Sequence, residues 1–471
     1  MTVRTRFSPS PTGKIHLGNA RAALFAALYA AENEGVFILR IEDTDATRSE
    51  EQHVDLLQKD LRWLNINWGE GPEVGGPYGP YWQSQRQAIY AKYYAQLESN
   101  KLIYPCFCSD QTLMLDRKLQ LSRGQAPRYS GKCRQLSVED INQRLAANEK
   151  PAWRFIVPPH NTVEFLDTVK GMQQFKTDDI GDFIIRRADG TAPFLFCNAI
   201  DDALMKVTHV LRGEDHLANT PRQIMILKAL DLPVPHYGHL SLIVGDDGAP
   251  LSKRHGSFSI NDLRERGYLA KAIINYLVRL GHTCDTQDLL DFNRLATHFH
   301  LDKLSKSPAR FDLSQLMYWQ KNAVHALTLT EVWEWLGASL KEKTPADKQT
   351  LFAETVKANV AFPRDAETWQ AIFFGDELSF DEAEKNILRD AGETFFVAAT
   401  EAFDQHPMAL PAVLDSLKQS LGVNGKKLFM PLRIALTSQI NGPELAQIVA
   451  LLGEKKVKER LMVAAEIARA K

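Results

Sequence analysis

Residues 3–45 read VRTRFSPSPTGKIHLGNARAALFAALYAAENEGVFILRIEDTD. Val3–Phe7 suits a short strand that Pro9-Ser-Pro-Thr-Gly13 cannot continue. Ala20, Ala23, Leu24, Ala27, Leu28 and Ala31 then recur at helical spacing, and Gly35 is a natural stop. Val36–Ile41 follows as an apolar, branched run suited to a buried parallel strand, and it ends in Glu42-Asp43-Thr44-Asp45. The pattern predicts a β-α-β unit. In such a unit the strand-to-helix turn directs backbone N–H groups and a positive helix end toward the strand carboxyl ends, which favours phosphate. Gly13 and Gly18 would let ligand atoms approach the backbone closely. Taken alone the turn is more often an ordinary loop with His16 as a cap or core residue, since it has the spacing of neither the P-loop nor the GxGxxG fingerprint.

Composition bounds the reading. With 471 residues, 44% hydrophobic and 24% charged, the chain can bury two or more cores, which excludes a disordered or fibrous protein. A net charge of −2 from 56 basic and 58 acidic residues restricts any nucleic-acid surface to a local patch. Five cysteines and an N-terminus without an apolar core argue against a disulfide-stapled secreted protein, so a cytoplasmic location is expected. No uncharged apolar stretch approaches the ~18 residues of a membrane span.

LIVGDDGAPLSKRHGS, Leu242–Ser257, reads as a strand, an Asp-Gly turn and a short return strand running into a loop with Lys253 and Arg254. Together, SPSPTGKIHLGNAR and LSKRHG resemble the HIGH and KMSKS signatures of class I aminoacyl-tRNA synthetases. FSPSPTG, RIEDTD, GGPYGPYWQSQR, VLRGEDHLANTPRQ, KSPARFD and PLRIALT are similar to the bacterial-type glutamyl-tRNA synthetase family, from the start of the chain nearly to its end. The resemblance implies that glutamate is activated with ATP and Mg²⁺ and transferred to the terminal ribose of tRNA-Glu.

It also implies roles for individual residues. His16 and Lys253 would be catalytic, and Pro9, Ser10, Gly13, His16, Gly18, Asn19, Lys253 and Arg254 would bind ATP. Asn19 departs from the last histidine of the first signature. Glutamate would be held by Arg6, Ser10, Glu42, Phe194, Asn198 and Arg212: arginines meet carboxylates, and Glu42 meets the ammonium. The bland alternative makes Arg6 and Arg212 surface ion pairs. Phe194 stands where the family usually has tyrosine. Some members also charge tRNA-Gln, a preference tied to an arginine in the anticodon domain that aligns with Asn359 here.

Cys106, Cys108 and Cys133 resemble the zinc-binding insertion of part of the family. Gln135 replaces the family's histidine, and Tyr129 could supply oxygen as the fourth ligand. The alternative is a remnant with three free thiols. Cys197 and Cys284 read as small core residues.

The expected fold is α/β: a doubly wound, Rossmann-type parallel sheet with an inserted acceptor-binding domain, then an all-α C-terminal domain. The family layout implies a catalytic region over residues 1–320, with an insertion at about 83–195 and a helical stem-contact region at about 240–320, followed by an anticodon-binding domain at 321–471. RERGYLAKAIINYLVRLGH, Arg264–His282, predicts one amphipathic helix. The run KKVKER, Lys455–Arg460, could touch phosphate, although such runs are more often solvated helix faces. A monomer is expected. Two rivals remain: a shorter relative that glutamylates queuosine in tRNA, disfavoured by the helical last third, and an inactive tRNA- or ATP-binding paralogue, disfavoured by His16, Lys253, Arg6 and Arg212 together.

Overall fold

The computed structural model describes residues 2–44, 51–251 and 259–470, and Lys253 and Arg254 lie outside them. Two compact units divide the chain: Met1–Glu265 with Ala270–Leu316, and Arg266–Leu269 with Met317–Lys471.

The opening stretch folds as its pattern predicts. Strand β1 (Arg4–Phe7) pairs in parallel with β2 (Val36–Leu39), Arg4 opposite Val36 and Phe7 opposite Leu39, and the helix Leu17–Glu32 connects them. That helix is alanine-rich because it is covered on more than one side. Ala20, Ala23, Ala27 and Ala30 are buried, and so are Phe25, Leu28 and Arg21. Small side chains let it lie close to the sheet, where Thr5 donates its hydroxyl hydrogen to Ala26 O at 2.8 Å. The other side packs Phe25 against Phe299, ring centroids 5.0 Å apart. The turn back into β2 needs Gly35, since a Cβ there would overlap the backbone carbonyl of Val3. Glu34, with φ 49°, takes the left-handed position.

Three antiparallel strands form a separate sheet in the order β3 (Ile103–Cys106), β4 (Ala152–Phe155), β7 (Phe183–Arg186). Between β4 and β7 the chain forms the hairpin β5 (Thr162–Asp167) and β6 (Gly171–Lys176). β8 (His209–Gly213) and β9 (His236–Leu240) run parallel, Arg212 opposite His239. Thr208 N–H donates to Arg4 O at 2.9 Å and joins β8 to β1, while β5 reaches β9 at the single parallel pair Asp167–Tyr237. The doubly wound reading holds: strands gathered from distant segments run parallel and present their carboxyl ends to one side. β10 (Ile243–Val244) begins the expected tight turn, with Gly245 N–H donating to Ala249 O, and pairs with β11 (Ala309–Arg310).

Two expectations are corrected. The segment Arg264–His282 is two helices, Ile260–Glu265 and Ala270–Arg279, because Gly267 adopts φ 88°. Lys455–Arg460 is not a uniformly solvated run. Arg460 is buried and donates to the carbonyls of Leu436 and Ile372, Lys456 donates to Gly375 O, and Lys458 pairs with Glu454. The second unit is helical among its described residues, with Phe352, Phe373, Phe396 and Leu461 in its core. No described helix is long and apolar enough to cross a membrane.

Gly35→Ala tests the tight return into β2. The added methyl meets backbone that cannot rotate away, so stability should fall by about 1–3 kcal/mol and Tm by on the order of 5 °C, measured by thermal unfolding.

Candidate active site

A cleft of about 670 Å³ opens at the carboxyl ends of the parallel strands. Pro9, Ser10, Gly18 and Asn19 line it from the turn and first helix, and Arg6, Glu42, Phe194, Asn198 and Arg212 line it from the strands and a crossing helix. Nine residues that the sequence singled out are thus brought to one cavity from segments as distant as Arg6 and Arg212. His16 and Gly13 are not among the lining residues. His16 is the exposed N-cap of Leu17–Glu32, makes no side-chain capping bond, and bridges to Ser259 through its backbone. Gly18 has open space where a Cβ would stand, and no acid occupies the first turn of that helix, so its free N–H groups keep their positive field.

Beneath the cleft lies a network of charge that sequence reasoning missed. Arg40 sits fully buried at the end of β2's run. Its Nη1 donates to Asp202 Oδ1 at 2.8 Å and its Nη2 to Asn198 Oδ1 at 3.0 Å. Asn198 in turn donates to Glu42 Oε1 at 2.6 Å. Arg6 gives its Nε to Asp202 at 3.2 Å. Arg86 Nε, Tyr90 OH and Gln83 Nε2 all donate to Asp201, at 2.7–2.8 Å. Asn198, Asp201 and Asp202 share one face of the otherwise apolar helix Phe194–Leu204, by i, i+3, i+4 spacing. A signal was present: charges inside the apolar runs VFILRI and CNAIDD need buried partners.

Burial alone would raise the Asp202 carboxyl, but Arg6 and Arg40 outweigh it and hold it below the usual carboxylate range. Glu42 differs. Burial pushes its carboxyl up to about 7, against the pull of Arg40, whose nearest nitrogen is 3.8 Å away, and of Asn198 and Arg6.

Arg212 differs from Arg6, Arg40 and Arg86, each of which meets a carboxylate. It lies in β8, and its partners are neutral: His239 Nε2 at 3.2 Å, Thr220 Oγ1 at 2.8 Å and Gln223 Oε1 at 2.8 Å. Its Nη1 has no partner, and no carboxylate among the described residues pairs with it. Burial lowers its pKa only to about 10, so it stays charged. Both Arg6 and Arg212 are buried, which rules out the surface ion-pair alternative. Phe194 stacks on His216, centroids 5.0 Å apart, and brings a ring but no hydroxyl to the cleft.

Away from the cleft, Cys106, Cys108 and Cys133 place their sulfurs within 4.8 Å of one another. Tyr129 OH lies 3.4 Å from Cys106 Sγ and 3.5 Å from Cys108 Sγ, and Arg154 stacks on its ring at 3.7 Å. Three soft sulfurs and one hard phenolic oxygen make four donor atoms, the number a tetrahedral metal ion takes, whereas Gln135 is exposed. Cys197 is fully buried as expected, but Cys284 is only half-buried, beside exposed Thr283 and Asp285 on the surface.

A parallel sheet with buried arginines and a free helix N-terminus around a cleft at its carboxyl ends is the arrangement in which proteins of the doubly wound class bind ligands. The model for class I tRNA synthetases (E and Q), catalytic domain, matches residues 2–318, and that for the anticodon binding domain matches residues 315–465. Glutamate–tRNA ligase 2 of Coxiella burnetii is 53% identical, covering 98% of this chain and 100% of the relative. Glutamate–tRNA ligase 2 of Nitrosococcus oceani is 52% identical over 98% and 97%. The crystal structure of a glutamate tRNA ligase from Elizabethkingia meningosepticum in complex with its amino acid superposes with a TM-score of 0.89 at 28% identity, covering 99% of both chains. The chain belongs to the glutamate–tRNA ligase family of class I tRNA synthetases.

If Glu42 receives the substrate ammonium, only its ionised form attracts it. That form dominates above about pH 7 and is lost as pH falls through 7. Steady-state kinetics from pH 8 to 6 should therefore show kcat/KM for glutamate declining, toward about tenfold per pH unit, while KM for ATP stays flat. In Glu42→Gln the profile should be level and low.

Proposed function

We propose that the chain attaches L-glutamate to tRNA-Glu in two steps within this cleft. The observation that carries the reading is Arg212: a buried guanidinium with a free Nη1 and no carboxylate partner at a cleft wall calls for an anionic substrate group. The glutamate side-chain carboxylate meets Arg212, Arg6 adds a second cation, and Glu42 with Asn198 and Ser10 receives the ammonium end. In the first step an α-carboxylate oxygen attacks the α-phosphorus of ATP, and pyrophosphate leaves. In the second, a hydroxyl of the terminal tRNA ribose attacks the activated carbonyl and AMP leaves. No protein nucleophile is needed, so the residues act by positioning and by stabilising charge. The N-terminus of Leu17–Glu32 with Gly18 and Asn19 receives phosphate, and His16 and Lys253 supply further donors to it. Mg²⁺, when bound with ATP, neutralises phosphate oxygens.

Residues 1–320 are assigned to catalysis, with the insertion at 83–195 holding the acceptor end, and 321–471 to the anticodon. Charging of tRNA-Gln as a second acceptor is the open part of the reading, since exposed, uncharged Asn359 stands at the position to which that preference is tied. Measured charging of purified tRNA-Gln decides that point.

Glutamine is nearly isosteric with glutamate and offers Arg212 an amide that repels it with its own donors. Its kcat/KM should be lower by roughly a hundredfold or more. Arg212→Ala should lose most glutamate activity while ATP binding persists; comparable kcat/KM for the two amino acids, or an unchanged ratio in Arg212→Ala, would overturn the reading.

Cys106, Cys108, Cys133 and Tyr129 would hold a structural zinc ion, tying the end of β3 to the turn that carries Cys133. Elemental analysis should find about one zinc per chain, lost together with local order in a triple Cys→Ser variant. Fully active protein without zinc would leave the cluster as free thiols.

A further inference from the structure

Arg212 owes its aim to two residues that do not line the cleft. His239, in β9 opposite Arg212, has a fully buried ring. Its Nδ1 lies 2.5 Å from Asp167 Oδ2. Its Nε2 lies 3.2 Å from Arg212 Nε and 3.0 Å from Thr220 Oγ1. Asp167 is itself buried at the end of β5, and its Oδ1 accepts the backbone N–H groups of Val169, Lys170 and His239 at 2.9, 2.8 and 3.2 Å.

The tautomer follows from these partners. A guanidinium Nε–H can only donate, so His239 Nε2 must accept, and the ring proton sits on Nδ1, which donates to the Asp167 carboxylate. Burial also disfavours the doubly protonated ring, as does the neighbouring Arg212. The arrangement sets a negative charge one imidazole away from Arg212. An acid in direct contact would neutralise the guanidinium and compete with substrate. Placed behind His239, Asp167 compensates the charge from the rear and leaves Nη1 open.

We propose that His239, held in its Nδ1–H tautomer by Asp167, is a positioning residue for amino-acid selection: its Nε2 acceptor, with Thr220 and Gln223 on Nη2, fixes Arg212 so that Nη1 faces the side-chain carboxylate. The inference rests on Arg212 being the glutamate-binding cation. Neither His239 nor Asp167 touches the reacting atoms.

Asp167→Asn is the decisive variant. Its oxygen keeps the three backbone N–H bonds, its amide then faces Nδ1, and the ring must move its proton to Nε2, where it confronts the Arg212 Nε–H. The KM for glutamate should rise on the order of ten- to a hundredfold, and the preference over glutamine should shrink. The kcat and the KM for ATP should change by less than about threefold. Nitrogen-15 NMR of histidine-labelled protein, with the His239 signals assigned by their loss in His239→Gln, should find Nδ1 protonated in the wild type and Nε2 protonated in Asp167→Asn. To separate lost positioning from misfolding, His239→Gln and His239→Leu give a second comparison in variants checked by thermal unfolding. Glutamine can accept from Arg212 and should hold the KM for glutamate within about fivefold of wild type, while leucine should resemble Asp167→Asn. A wild-type ring protonated on Nε2, equal behaviour of the Gln and Leu variants, or a loss confined to kcat would overturn the inference. An unchanged glutamate-to-glutamine ratio in Arg212→Ala would instead overturn the reading of Arg212 on which it stands.

Discussion

The guanidinium groups of Arg6, Arg40, Arg86 and Arg212 are all buried in the first unit, and the site is organised by how they are neutralised. Three carboxylates, Glu42, Asp201 and Asp202, answer the first three by direct ion pairs or close approach. A buried pair of this kind adds little net stability, but removing one member strands the other at a cost of about 3–5 kcal/mol. The network is therefore rigid, and it ties β1, β2 and the helix Phe194–Leu204 together from residues nearly 200 positions apart. Arg212, which lines the cleft, lies outside this pairing and keeps its Nη1 without a partner.

Local chemistry was legible in the sequence where it depended on neighbours in the chain. The Pro-Gly turn, the alanine-rich helix and the branched strand declare themselves within residues 3–41, and the Asp-Gly turn at Asp247-Gly248 does the same. The break in Arg264–His282 was hidden because apolar periodicity continues across Gly267, whose φ of 88° no side-chain pattern reports. The sense of KKVKER was likewise hidden, since Arg460 is satisfied by carbonyls of Leu436 and Ile372 that no local pattern brings near.

The cleft residues were legible through family resemblance, and their supports were not. Glu42 and Asn198 occur in motifs, yet the 2.6 Å bond between them, and the joint claim of Arg6 and Arg40 on Asp202, are products of topology. Asp167 is harder still: it closes an unremarkable hairpin strand whose only ladder contact with β9 is one residue pair. The thiol cluster stands between these cases. The C-x-C spacing marks two of its members, while the approach of Tyr129 to both sulfurs depends on the fold between them.

The tandem of Asp167, His239 and Arg212 also bears on how this pocket could evolve. Replacing Arg212 by a neutral residue removes one influence that keeps His239 uncharged, but burial, the larger one, persists, and the Asp167 carboxylate still accepts from Nδ1. The vacated site is then backed by a neutral imidazole whose Nε2 acceptor is no longer engaged by a guanidinium. A lineage moving toward a neutral amino acid would inherit that acceptor with strands β5, β8 and β9 intact. One substitution thus turns what the pocket offers from a charged donor into a neutral acceptor.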